Sequence, residues 1–410
     1  TTPVRVHMPA GVTFTQISSS SGHSLALGSN GKVYAWGKNN VGQLGNGISG
    51  DYAFRNVPVE VAGGLTFTQV SAGSNHSLAL DSNGKAYAWG GNTFGGLGLG
   101  TSGVGTESNV PVPVSGGLTF TQIDASAGRS LALDSTGKAY AWGWNHLGQL
   151  GDNTTTNRSL PTAVAGGLTF TQISSEGTHS LALTSTGAAY AWGSNSNGEL
   201  GDNTTTYRRV PVAVSGGLTF TQISAGAEHS LAVTSAGKAY AWGRNDRGQL
   251  GDNTTTNRRV PTAVSGGLTV TRIGGGNSRS YALDGDGKAY AWGWNTSGAL
   301  GDGTTTDRKV PTAVVTAAAA VTNVTFGGTA GTGLTHLGGR RWEVTTPAHA
   351  AGPVDIVMRW TLGGVTQPVI TFTDGFTYVG PEVEIEIRAY QQVARTTEIP
   401  RGSVLAPGTT

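Results

Sequence analysis

The sequence predicts an all-β protein whose larger part is a β-propeller of six sequence repeats, one per blade. Three observations predict it. The first is a repeat. Tyr-Ala-Trp-Gly recurs with its tryptophan at Trp36, Trp89, Trp142, Trp192, Trp242 and Trp292, spaced 53, 53, 50, 50 and 50 residues apart. A glycine-rich period near fifty belongs to propellers rather than to helical arrays. The second is the pattern inside a unit. Within residues 217–264, the runs 218–223, 230–234 and 238–242 alternate apolar with polar, or bulky with small. Period two puts successive side chains on opposite faces of a strand. A fourth run, 260–264, contains Pro261; proline cannot donate to a ladder, so this run is an edge strand. The third is punctuation. Ser-Ala-Gly-Lys, Asn-Asp-Arg-Gly and Gly-Asp-Asn-Thr-Thr-Thr separate the runs, and all three are turn chemistry. Four strands per unit make one propeller blade.

Taken in order, residues 1–11 hold one edge strand, at 3–8. Repeat one covers 12 to about 61, repeat two 65–114, repeats three to five 118–264, and repeat six 268–314. Irregular turns at 46–54 and 100–107 account for the longer first spacings. Repeat six departs at Arg272 and Tyr281. The chain thus has six three-strand cores and seven edge segments. A terminal edge segment is expected to complete a blade with strands from the other end; seven blades is the alternative. The propeller is assigned to 1–315 and a linker of small residues to 316–320. A small immunoglobulin-like β-sandwich follows at 321–380, with strands at 321–326, 341–345, 354–360 and 369–372. The last part, 381–410, reads as a partial stalk-type β segment, too short to bury a core alone.

Composition excludes several classes. Of 410 residues, 66 are glycine and none is cysteine, so neither disulfides nor thiolate metal sites exist. The 26 basic and 24 acidic side chains leave a net charge of +2, which is no electrostatic footprint for nucleic acid. No apolar run is long enough for a transmembrane helix, so no direct membrane insertion is expected.

The fixed residues also carry a resemblance. Gly-x-x-His-Ser-Leu-Ala-Leu, then Gly-Lys-Ala-Tyr-Ala-Trp-Gly-x-Asn, then Gly-Gln-Leu-Gly-Asp, resembles the regulator of chromosome condensation repeat across all six units. The resemblance implies a β-propeller, usually of seven blades, and the layout looks like the bacterial surface-protein type. The stretch 345–356, with the closing Gly-Phe-Thr-Tyr at 375–378, is similar to the IPT/TIG type of immunoglobulin-like domain.

Candidate functional residues are those that vary inside a copied unit. The repeated histidine (His23, His76, His179, His229; arginine at Arg129 and Arg279) recurs with the fold, so it reads as a hydrogen-bonding residue that fixes a turn inside each blade. The repeated tryptophan reads as packing between sheets. Gly-Asp-Asn-Thr-Thr-Thr lacks the carboxylate count of a Ca²⁺ loop. No nucleophile elbow, phosphate loop or zinc signature occurs, so no catalytic residue, metal or cofactor is assigned. The variable positions are different. Trp144, Trp294, Arg244, Arg247, Phe94, His146, Lys38 and Glu228 lie in loops expected on one rim, and aromatic and arginine side chains are the types that anchor interfaces. A second ring, Arg158, Arg208, Arg258 and Arg308 with Asp152, Asp202, Asp252 and Asp302, reads as a solvated rim of local ion pairs.

These readings favour a non-enzymatic, secreted or cell wall-attached binding module. It is expected to be adhesin-like and monomeric within a longer surface protein, presenting its loop rim to a protein or glycan ligand. A secreted enzyme-inhibitor-like propeller is the alternative. The third reading, implied by the resemblance, is a nucleotide-exchange regulator of a small GTPase. The insertions at 48–54 and 100–107 are short for the projecting loop which that reading needs.

Overall fold

The structure is a computed structural model. It describes residues 3, 6, 9–315, 319–338, 341–345, 347, 352–362, 365–366, 369–378 and 384–388. The chain divides into two compact units, Thr1–Val315 and Thr316–Thr410.

The first unit contains six four-stranded antiparallel sheets, each paired in sequence order. Blade five shows the plan. Its inner strand is Gln222–Ala225, its second His229–Val233, its third Ala239–Gly243 and its outer Arg258–Ala263. The prolines of the fourth runs, among them Pro161, Pro211, Pro261 and Pro311, all stand in outer strands. The missing N–H there leaves no ladder unmatched. One expected boundary moves. Residues 218–221 are not strand: Phe220 donates its N–H to Gly187 O of the preceding blade at 2.8 Å and buries its ring against that blade. The alternation in 218–223 comes from a connector that staples two blades, so the strand starts only at Gln222.

The core is a series of layers between blades. In each layer, one blade supplies a Leu-x-Leu or Leu-x-Val pair and small alanines. The next supplies a phenylalanine (Val270 in the last layer), an isoleucine or valine, and the repeated tryptophan. Trp89, Trp142, Trp192, Trp242 and Trp292 are fully buried. Each indole N–H donates to a carbonyl of the preceding blade, at 2.9–3.0 Å. That carbonyl lies in a tight turn two residues before a glycine, and space explains the glycine. A Cβ on Gly201, whose φ is +69°, would lie 2.7 Å from Trp242 Nε1.

Polar latches reinforce the layers. Gln122 accepts the N–H of Ile173 at 3.0 Å and donates to its carbonyl at 3.3 Å; Gln16, Gln69, Gln172 and Gln222 likewise each accept a backbone N–H from the next blade. Ser18, Ser71, Ser174 and Ser224 each accept a backbone N–H from the next blade. The repeated histidine also works between blades, not within one turn as the sequence suggests. His23, His76, His179 and His229 bond through Nε2 to Ser77, Ser130, Ser230 and Ser280 of the following blade at 2.8–3.0 Å.

The expected closure by a terminal segment is not what the described residues show. All six blades carry their own outer strand. Most of the edge segment at 3–8 lies outside the described residues. Pro3, which is described, packs against blade six, 3.3 Å from where a Cβ of Gly301 would stand.

In the second unit, one sheet joins Ala319–Phe326, Thr329–Ala330, Gly352–Leu362, Val365–Thr366 and Ile370–Tyr378. A second sheet joins Thr332–Gly338, Arg341–Thr345 and Glu384–Arg388. The glycines flanking Thr332–Gly338 hide this strand in the sequence, where it looks like part of a turn. The start of the segment at 381–410 is a sheet member here, paired with Arg341–Thr345. Residues 389–410 lie outside the described residues.

Candidate functional site

In every blade the turn before the second strand and the loop after the third leave from the same end of the sheet. His229 pairs with Gly243 in the ladder, and Arg244 N–H donates to Glu228 O at 2.9 Å. The variable residues therefore do fall on one rim of each blade.

Three of the eight candidates form a continuous aromatic group. The rings of Phe94, in the loop of blade two, and Trp144, in the loop of blade three, stack at 5.8 Å. His146 meets Trp144 edge-on at 6.0 Å. Phe94 and His146 are exposed and Trp144 is half-buried. The floor is Gly128 at φ +72°, where a Cβ would come within 3.0 Å of the Phe94 ring. This group straddles two blades and offers aromatic faces to solvent.

A second group is charged and already satisfied. Arg244 donates to Asp246 at 2.9 Å and to Glu228. Those two carboxylates hold its guanidinium even more firmly protonated than usual. Arg247 pairs with Asp307 of blade six at 3.6 Å. These contacts tie the loops together and leave less of each charge for a ligand. Trp294 is half-buried under the guanidinium of Arg279, 4.8 Å from its ring centroid. Lys38 is exposed on blade one. Among the described residues, no contact joins Trp294 or Lys38 to the aromatic group.

Sequence reading passes over several rim residues. Tyr52 is 93% exposed, Phe54 60% and Val104 97%. They sit in the irregular loops of blades one and two. Their signal is visible: bulky apolar side chains stand where the other repeats have a Thr-Thr-Thr turn.

In those other repeats the loop closes on itself. Asn245 Nδ2 donates to Asp252, Thr254 O and Thr256 O, and Arg258 pairs with Asp252 at 2.8 Å. Arg158, Arg208 and Arg308 pair with Asp152, Asp202 and Asp302 in the same way. Burial works against charge on Asp302, but hydrogen bonds from Thr304 and Arg308 outweigh it and hold the carboxyl down at about 2. Arg209, Arg259 and Lys309, the neighbours of the paired arginines, are exposed and make no ion pair among the described residues. No cluster of three His, Asp or Glu able to hold a metal occurs among the described residues.

An array of stacked blades with a loop-bearing rim defines a propeller scaffold. The RCC1-like domain family model matches residues 1–332, and the chain belongs to that family. It is 37% identical over 159 residues to the Protein RCC2 homolog of Xenopus laevis, covering 37% of this chain and 30% of that protein. It is 31% identical over 159 residues to the ultraviolet-B receptor UVR8 of Arabidopsis thaliana, covering 38% and 35%. The chain thus spans about a third of these relatives. Among solved structures, human WBSCR16 superposes with a TM-score of 0.69 at 25% identity, over 78% of this chain and 86% of that one. Yeast RCC1 (Prp20), solved bound to Kap60, gives 0.66 at 26% identity, over 76% and 77%.

Proposed function

We propose that this chain is a non-catalytic protein-docking propeller whose partner seats on the rim of blades one to three. The observation that carries this reading is the aromatic group Phe94–Trp144–His146. Large rings shared by two blades, solvent-facing and without a charged partner, are what a docking hot spot is made of. The exposed Tyr52, Phe54 and Val104 extend the same sector. A protein partner suits this surface better than a glycan, because the exposed apolar side chains in the loops of blades one and two widen it beyond a sugar-stacking platform.

The relatives support a protein-binding role. A structure of Prp20p from Saccharomyces cerevisiae is described with its binding to Gsp1p and histones, and it superposes with a TM-score of 0.62 at 26% identity. A regulator of a GTPase of the Gsp1p kind is therefore the second reading. A cell-surface adhesin draws no support from these relatives, which are eukaryotic proteins. The test is binding of the chain and of its Phe94→Ala/Trp144→Ala variant to Gsp1p and to histones by interferometry, alongside capture from a eukaryotic extract. The variant should keep its fold and lose capture at least about tenfold, the loss of one or two hot-spot residues. A variant that retains every interaction of the parent overturns the rim assignment. Binding to Gsp1p that ignores the variant moves the partner to another face.

A further inference from the structure

Three charged departures from the copied unit meet in the layer between blades three and four. Asp124 stands where the other inner strands carry Ser18, Ser71, Ser174, Ser224 or Gly274. Arg129 stands where blades one, two, four and five carry the histidine. Glu176 stands where the other blades carry Ser20, Gly73, Ser126, Gly226 and Gly276. Two of the three are held. Asp124 accepts the Ser71 hydroxyl of blade two at 3.1 Å and the Ser175 N–H of blade four. Arg129 is 1% exposed and donates to Gly177 O at 2.9 Å and to His179 O. The third is free. Glu176 is half-buried and makes no hydrogen bond or ion pair among the described residues, although both Asp124 and Arg129 act on its charge. The buried Nε of Arg129 likewise has no partner among the described residues. One cation thus faces one carboxylate that balances it and a second carboxyl that has no counterion of its own. Burial and the Asp124 charge raise Glu176 to about 7, against the pull of Arg129.

This cation is joined to the aromatic group of the rim by one peptide bond. Arg129 follows Gly128, whose carbonyl accepts the Trp144 N–H at 3.1 Å and whose backbone is the floor under the Phe94 ring. In a close-packed layer, a guanidinium that changes partners displaces the backbone that carries it.

We infer that Glu176 is a proton-operated switch on the Phe94–Trp144–His146 group. With its carboxyl protonated, Arg129 stays on the carbonyls of blade four and the floor is fixed. Ionised, the carboxylate draws the guanidinium away from Gly177 O and His179 O, and the floor loosens. The geometry described is that of the protonated acid. A second negative charge in a layer with a single cation is relieved by an ion pair with that cation. The rim is thus ordered on the acid side of neutrality and released on the alkaline side. Its effect on docking rests on the docking role proposed for the aromatic group; the switch itself does not.

The other titratable groups on the packed elements are engaged or silent near neutral pH. Burial keeps His76 and His229 neutral, at about 4, and His179 at about 3. Glu228, in the blade-five turn that lies against Gly177, is bound by Arg244. Glu199 accepts from the Ser194 hydroxyl and the Asn197 N–H. His146 touches Trp144 directly, so the test removes it.

The test is fluorine NMR of the full chain labelled with fluorotryptophan and carrying His146→Gln, with two resonances assigned by Trp144→Phe and Trp294→Phe. The Trp144 resonance should shift with a midpoint near pH 7. The Trp294 resonance, from the same position in blade six, where Gly274 and Gly276 replace the carboxyls found in the layer below Trp144, should stay still. Glu176→Gln should hold Trp144 at its acid position at every pH. Asp124→Asn removes a like charge and should move the midpoint to lower pH. The readout needs no partner, so its failure is separate from a failure of the docking assignment. A Trp144 resonance that does not titrate before Glu176 is replaced, or a transition that survives Glu176→Gln, overturns the switch. Equal movement of Trp294 assigns the effect to the whole fold and overturns it as well.

Discussion

Acidification from pH 7 to pH 5 should destabilise the propeller, and the repeated histidine sets the size of the effect. Burial lowers the imidazoles of His23 and His179 to about 3 and those of His76 and His229 to about 4. The hydrogen bonds explain the neutral form. The hydroxyls of Ser77, Ser130, Ser230 and Ser280 are spent on carbonyls of the preceding blade, so each serine oxygen accepts from Nε2–H. Protonation would add an N–H at Nδ1, and Nδ1 of His23 and of His179 has no partner among the described residues. In the unfolded chain a histidine titrates near 6.5. Below that pH the unfolded state binds protons that the folded state refuses, so stability falls as pH falls. Each site loses about 2 kcal/mol between pH 7 and pH 5, or about 8 kcal/mol for the four. Three acids oppose this. Burial raises Asp124 to about 6 and Glu176 to about 7, and raises Glu199 as well. All three take up protons in the folded state before the unfolded chain does, and Asp124 and Glu176 together return about 3–4 kcal/mol over the same interval. The net loss is at most about 4 kcal/mol, a large share of a typical domain stability. Urea unfolding followed by circular dichroism at pH 5, 6 and 7 measures it. Glu176→Gln should steepen the loss, and His179→Gln should shrink it by about 2 kcal/mol. A midpoint that stays level or rises towards pH 5 refutes the reasoning.

Three further outcomes follow from the packing. Trp242→Ala, which empties a fully buried site between blades four and five, should cost about 3–5 kcal/mol in the same assay. Gln122→Ala removes two hydrogen bonds to the backbone of blade four and should cost about 2 kcal/mol; Arg272→Ala, at the same position but on a face that no blade covers, should cost almost nothing. Asp252→Ala breaks the hub that holds Asn245, Thr254 and Arg258 and should cost about 1–3 kcal/mol. Its readout is faster proteolysis within 251–258, with ligand capture by the Phe94–Trp144 group unchanged.

Much of this fold is legible in the sequence because its physics is repeated. A tryptophan that fills the gap between sheets must recur once per blade, and so must the glycine that lets it approach. Their spacing therefore announces the blade directly. What stays hidden is what passes between blades. The glutamine of each inner strand reads as one polar residue in an alternating run, and nothing local says that it reaches a backbone some fifty residues away. The histidine misleads for the same reason: its serine partner is conspicuous only once the next repeat is placed beside it. Phe220 passes for strand because its alternation is genuine, although its neighbour across the contact is another blade.

The rim shows why residue type alone cannot locate a site on such a scaffold. Trp144 and Trp294 occupy the same position in blades three and six, and the sequence lends them equal weight. Their surroundings differ because the arginines that replace histidine in those two blades go different ways. Arg129 has a following blade and spends its guanidinium on the carbonyls of Gly177 and His179, leaving Trp144 to stack with Phe94. Arg279 meets no following blade among the described residues, and turns back over Trp294. One indole is joined to a solvent-facing aromatic group, and the other is capped by a cation of its own blade.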